Sequence, residues 1–246
     1  MTSRYPNAQW APWRYLAADG EPAFYRGENH PTAVVLHVAQ GWVSTVLNWA
    51  STGYRYASWH YTVGLDGKVY QHLEHSDGGY HAGITDAQAA SRPPVWRLWR
   101  GRGVNVNHYT IGVEHEGFAG QPFTAAQSAA ARDLCRWLAA ELGIPLDRDH
   151  FPPHAVIDTV NRVNDFNTPA LREAHYAYLF EEDEVTRAEF DALAARVAHL
   201  EQVVALITQA PEKFLAPDGA PWNYLLRDKW LSMAIDKHAA DEGAHS

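Results

Sequence analysis

Two apolar runs constrain this chain most: TAVVLHV over residues 32–38 and YTIGVE over 109–114. Each is short, rich in β-branched residues and bounded by polar segments, as buried strands are. Each also carries a reactive group near its C-terminal end, His37 in the first and Glu114 in the second. Further along, His154 is followed eleven residues later by Asp165. Two distant histidines and a carboxylate, with a spare Glu, are the parts of a hydrolytic zinc site. Catalytic zinc takes three protein ligands and leaves a fourth position for water. The spare carboxylate can then manage that water's proton.

The segments around these runs read as a mixture of strands and helices. Residues 1–31 have no clear period and read as an extended N-terminal wrap. Residues 43–50 predict a short helix. Residues 60–65 and 68–73 flank Asp66-Gly67, a two-residue hairpin signal. Thr124 and Gln127 predict a capping box opening a helix that runs through Glu141, with Gly143 at its end. Ala130, Leu134, Trp137 and Leu138 form its apolar face. Thr168-Pro169 starts a last helix through about Phe180, proline being tolerated in the first turn.

Composition excludes several classes. The 246 residues carry 20 Lys+Arg against 29 Asp+Glu, a net charge of −9. From residue 181 onward there are 13 acidic and 6 basic residues, so the remainder carries only −2. Neither part is built to neutralise nucleic-acid phosphates. The single cysteine, Cys135, excludes an intrachain disulfide and reads as a small buried apolar residue. No apolar run is long enough to span a membrane, and the N-terminus has no signal-peptide pattern. The expectation is synthesis in the cytoplasm, with release by lysis if the protein acts outside.

The character changes after residue 180, dividing the chain into an expected domain over 1–180 and a helical region over 181–246. Phe190, Leu193, Val197, Leu200, Val204 and Ile207 alternate spacings of three and four, a short heptad pattern. The helix over 186–209 is therefore a candidate for self-association, or an amphipathic helix docked on its own domain.

The segments VVLHVAQG, SWHYTVGLDGKVYQHL, YHAG, YTIGVEHEG and HAVIDTVNRVND occur in this order between about 32 and 180. Together they resemble the amidase-2 type zinc-dependent N-acetylmuramoyl-L-alanine amidases, a superfamily that includes phage endolysins and peptidoglycan-recognition proteins. The resemblance implies an α/β fold, a mixed central sheet flanked by helices. It implies one zinc per chain on His37, His154 and Asp165, with Asp158 the competing carboxylate. Relatives read Cys-Pro-Gly or Asp-Pro-Gly where this chain reads NDFNTP, and Asn164 would take the place in a shifted register. Glu114 matches the catalytic Glu, with Glu116 the runner-up by strand alternation. Arg162 stands near a Lys that stabilises the oxyanion in relatives. His60, His81 and Trp59 match positions near the cleft and are expected to contact substrate or support the metal ligands.

Residues 84–107 form a long connection in which Trp96, Arg97, Trp99, Arg100 and Arg102 alternate aromatic and basic. They read as one wall of a substrate groove. The resemblance thus implies a peptidoglycan hydrolase cutting between the lactyl group of N-acetylmuramic acid and L-alanine, in the manner of a phage or prophage endolysin. The alternatives are a cytoplasmic recycling amidase and a non-catalytic peptidoglycan-binding protein.

Overall fold

The computed structural model describes residues 4–180, 195–197 and 199–200. Contacts divide the chain into two units, Met1–Glu182 and Asp183–Ser246. The heptad reading over 186–209, and self-association through it, lie outside the described residues apart from two short helical pieces. No helix among the described residues is long and apolar enough to cross a membrane.

In chain order the strands are β1 (Ala8–Trp10), β2 (Phe24–Tyr25), β3 (Ala33–Val38), β4 (Tyr61–Val63), β5 (Val69–Gln71), β6 (Gly78–Gly79) and β7 (Thr110–His115). The helices are α1 (Val43–Thr52), α2 (Asp86–Ser91), α3 (Ala125–Leu142) and α4 (Pro169–Leu179). The five-stranded sheet has the order β1-β5-β4-β7-β3. Strands β3, β7 and β4 are parallel neighbours, β5 is antiparallel to β4, and β1 is parallel to β5. The sheet is mixed, and helices flank it. The N-terminal wrap holds strand β1, which sequence reading missed: three residues on a sheet edge give no period to detect.

Strand alternation sorts the core. Val34, Leu36, Ile111 and Val113 face α3 and α4, where Leu134, Leu138, Tyr176 and Leu179 complete one fully buried cluster. Ala33 and Val35 face the other way, against Trp96, Val106, Tyr109 and Ile157. Truncating one such buried leucine to alanine costs about 2–5 kcal/mol, so this packing fixes where the strand ends sit.

Two local readings are corrected. The hairpin closes one residue earlier than a two-residue turn: Gly64 N–H donates to Lys68 O at 2.8 Å, leaving a three-residue loop with Gly67 at φ 80°. A Cβ on Gly67 would stand 2.9 Å from the Ala126 carbonyl oxygen, so the left-handed turn and the start of α3 both need glycine. At α3, Thr124 caps the Gln127 N–H, but the Gln127 side chain does not return the bond. It is buried and donates to the Val63 and Glu116 carbonyls, joining the helix to the sheet instead.

Candidate metal centre and active site

His37, Glu114 and Thr62 are Cα partners across β3, β7 and β4. Parallel register puts His37 and Glu114 side by side on the sheet face away from α3 and α4. His154 comes from a different part of the chain. It opens a 3-10 turn after Pro152-Pro153, and Leu36 N–H donates to the Pro152 carbonyl at 2.9 Å. That bond stitches the His154 segment alongside β3.

Asp165 lies in the loop before α4. Its Oδ1 accepts from Val38 N–H at 3.0 Å and Phe166 N–H at 2.9 Å. With one oxygen anchored to backbone, Oδ2 is left 3.3 Å from His37 Nδ1 and 2.9 Å from His154 Nδ1. One potential ligand atom from each of the three residues lies within 4.8 Å of the others. Ligands about 2.0–2.1 Å from a tetrahedral ion stand about 3.3 Å apart, so the set fits zinc.

The electrostatics point the same way. Burial works against charge on His37, but the Glu114 and Asp165 carboxylates outweigh it and raise its pKa above the ordinary value. Burial works to raise Asp165 too, yet the His37 charge and hydrogen bonds from both histidines hold it well below the usual carboxylate range. The cluster holds two carboxylates around two imidazoles, a place of negative potential that favours a cation.

Asp158 does not join this set. Its Oδ1 accepts from Val160 N–H at 3.2 Å and Asn161 N–H at 3.0 Å, capping its own turn. Asn164 is exposed. The segment after Asp165 turns by a strained route: Phe166 has φ 63° and Asn167 φ 71°. Asparagine tolerates this region, whereas a phenylalanine there carries strain of order 1–3 kcal/mol. Burial of the Phe166 ring, with Asn167 Oδ1 accepting from Gly120 N–H at 2.8 Å, holds the turn in place.

Glu114 is 8% exposed, and its Oε1 lies 3.9 Å from His37 Nδ1. Its Oε2 is buried without a hydrogen-bond partner among the described residues. Burial raises its pKa to about 7, against the opposing pull of His37. A base must be ionised to accept a proton, so activity should rise with pH through this group's titration. A cation in the site favours the carboxylate, so the acid limb of kcat/KM should have its midpoint at or below about 7. A limb centred well above that value would assign the base to another group.

Glu116 is not a second candidate. Strand β7 ends at His115, so alternation no longer holds. Glu116 Oε1 accepts from Val43 N–H at 2.9 Å at the start of α1, and Oε2 accepts from Leu65 N–H at 2.8 Å. Glu116→Ala should lower stability by about 1–3 kcal/mol through these lost acceptors, without changing metal content. Thermal unfolding and zinc analysis of the purified variant check both halves.

Beside the cluster opens a cleft of about 770 Å³, with His81, His154 and Arg162 in its lining and Tyr25, Tyr56, Tyr80 and Trp99 as aromatic walls. Arg162 is exposed there. The expectation that Trp59 and His60 contact substrate is corrected. Trp59 is 3% exposed, packs with Trp13 and donates to Thr62 Oγ1. His60 is fully buried, and its ring bonds the Asp77 carbonyl and accepts from Gly112 N–H. Both shape the sheet behind the site. Of the aromatic and basic residues in the 84–107 connection, Trp99 lines the cleft. Trp96 is buried with its indole N–H on the Asp149 carbonyl, Arg97 pairs with Asp149, and Arg100 lies over Tyr109. The connection instead contributes α2, opened by a Thr85–Gln88 capping box, and the Gly103–Asn105 turn.

His81 stands where the cluster of His37, His154 and Asp165 meets the cleft. Its Nδ1 is 3.2 Å from His37 Nε2, and its Nε2 is 3.3 Å from Thr110 Oγ1.

A mixed sheet with His37 near a strand end, His154 and Asp165 brought to it from a 3-10 turn and a loop, and a buried glutamate beside them, has the layout of a metal-assisted hydrolase. The chain belongs to the N-acetylmuramoyl-L-alanine amidase family (Amidase_2), whose model matches residues 27–168. No curated protein sequence matches it. Among solved structures, it is similar to a selenomethionine derivative of AmpD (TM-score 0.51, 17% identity), covering 72% of this chain and 97% of that one. It is also similar to a mutant endolysin from Bacillus subtilis (TM-score 0.46, 20% identity), covering 70% and 99%. The endolysin amidase LysCS from Clostridium intestinale matches at TM-score 0.48 and 16% identity, covering 73% and 99%.

Proposed function

We propose that this protein is a zinc-dependent amidase of bacterial peptidoglycan, hydrolysing the amide between the N-acetylmuramic acid lactyl group and L-alanine. The observation that carries this reading is the convergence of His37, His154 and Asp165 within 4.8 Å, beside the buried Glu114. Family membership supports the reaction. His37, His154 and Asp165 hold the metal. When bound there, zinc polarises the scissile carbonyl and brings the pKa of water toward neutrality.

The chain's own groups do the rest. Glu114 takes a proton from the attacking water and returns it to the alanine nitrogen as the C–N bond breaks. Arg162, exposed in the cleft, donates to the carbonyl oxygen as it gains negative charge. Arginine keeps its charge and cannot give up a proton, so its role is electrostatic. The tyrosine and tryptophan walls of the cleft suit sugar and peptide. We place the enzyme among endolysins that act on the cell wall after release, because residues 181–246 extend well past the family match at 168.

The test is zinc content together with release of new amino termini from purified peptidoglycan. About one zinc per chain with N-terminal alanine released supports the amidase. A metal-free chain that sediments with peptidoglycan without cutting it would make this a binding protein.

A further inference from the structure

We infer that His81 is a positioning residue for the metal site: together with Thr110 it sets which nitrogen of His37 faces the metal. This rests on the zinc reading above. The Val106 carbonyl can only accept a hydrogen bond. Thr110 is fully buried, and its hydroxyl donates to the Val106 carbonyl at 2.9 Å. That spends the hydroxyl's one proton, so Thr110 Oγ1 can only accept from His81 Nε2 at 3.3 Å. With its proton on Nε2, a neutral His81 presents a lone pair at Nδ1. That lone pair lies 3.2 Å from His37 Nε2, which must therefore carry the His37 proton. In the neutral form that a metal requires, His37 Nδ1 is left as the lone pair, and it is this atom that stands 3.3 Å from Asp165 Oδ2.

Metal-bound histidines depend on such a partner for the second nitrogen, and the usual one is a carboxylate, a backbone carbonyl or water. Here an imidazole takes that place, and the fold makes room for it. A Cβ on Gly112 would stand 2.7 Å from His81 Cγ, so only glycine at this point of β7 lets the ring lie against the strand. Asn107 Oδ1 accepts from the His81 backbone N–H at 3.3 Å and the Ala82 N–H at 2.9 Å, fixing the turn that delivers the ring. His81 therefore serves the metal rather than the substrate as its main role, although it also borders the cleft.

The experiment measures zinc affinity of the full chain by chelator competition, with the metal alone and no substrate. His81→Leu should weaken zinc binding by about 10–100-fold, the range for loss of a ligand's supporting partner. His81→Asn, whose Oδ1 can stand where Nδ1 stands, should recover most of the affinity. Thr110→Val, which leaves the His81 ring but removes its acceptor, should weaken zinc by a smaller factor while the chain stays folded. Wild-type affinity in both His81→Leu and Thr110→Val would overturn the proposal, as would an Asn variant no better than Leu. If the wild type binds no zinc, the metal reading itself fails, a result distinguishable from failure of the His81 role alone.

Discussion

Glu114→Gln should lower turnover of a muropeptide substrate by about 10²–10⁴-fold while zinc stays bound. The substitution keeps shape and removes only the capacity to take a proton. His37, His154 and Asp165 do not depend on Glu114 for their positions: the first is set by β3, the second by the Leu36–Pro152 bond, the third by Val38 and Phe166 N–H. The same variant should show an opposite effect on stability. A carboxyl whose folded pKa is raised from 4.5 to about 7 binds its proton more tightly in the folded state. Folding therefore loses stability as pH rises from about 4.5 to 7, and the loss is complete above that window. Metal-free Glu114→Gln should melt higher than metal-free wild type above pH 7, with the gap closing toward pH 4. Added zinc should narrow it, since a cation favours the carboxylate. An active glutamine variant would remove Glu114 from the chemistry.

Asp165→Asn should abolish stoichiometric zinc binding and reduce amidase activity by more than about 100-fold, beyond the loss seen when only a ligand's partner is removed. Asparagine retains an oxygen to receive Val38 and Phe166 N–H, so the loop keeps its anchor while the site loses its anionic ligand. Asp165→Ala loses both and should be less stable as well. In the wild type the depressed Asp165 pKa stabilises the metal-free fold above the ordinary carboxyl value of 3.8, and that contribution is lost as pH falls below it. Metal analysis by mass spectrometry and melting curves for the two variants separate these effects. Full zinc and activity in Asp165→Asn would move the third ligand elsewhere.

Much of the sheet was legible because strand alternation is a local property. TAVVLHV and YTIGVE alternate apolar residues toward the helices with Val35, His37, Gly112 and Glu114 on the other face, so two reactive groups could be placed at strand ends from the letters alone. The starts of α1, α3 and α4 were legible for the same reason, being set by residues within one turn, whereas α2, opened by Thr85 and Gln88 in the long connection, was missed. Glu116 was misread because alternation stops where β7 stops, and nothing in EHEG marks that point. Trp59 and His60 were misread because a strand's sequence does not say which of its faces another element covers.

What the sequence supplied by itself is therefore a set of candidate residues: His37 and Glu114 on strands, and the distant pair His154 and Asp165 outside them. Only the tertiary structure decided how they meet. It brings Asp165 Oδ2 between two imidazoles from 128 and 11 residues away, denies that place to Asp158, and sets His81 behind His37 through a chain ending on the Val106 carbonyl. The physical reason is that these contacts depend on loop closure and on backbone hydrogen bonds between segments far apart in the chain. Such bonds are made or lost by fractions of an ångström and leave no periodic trace in the residues that make them.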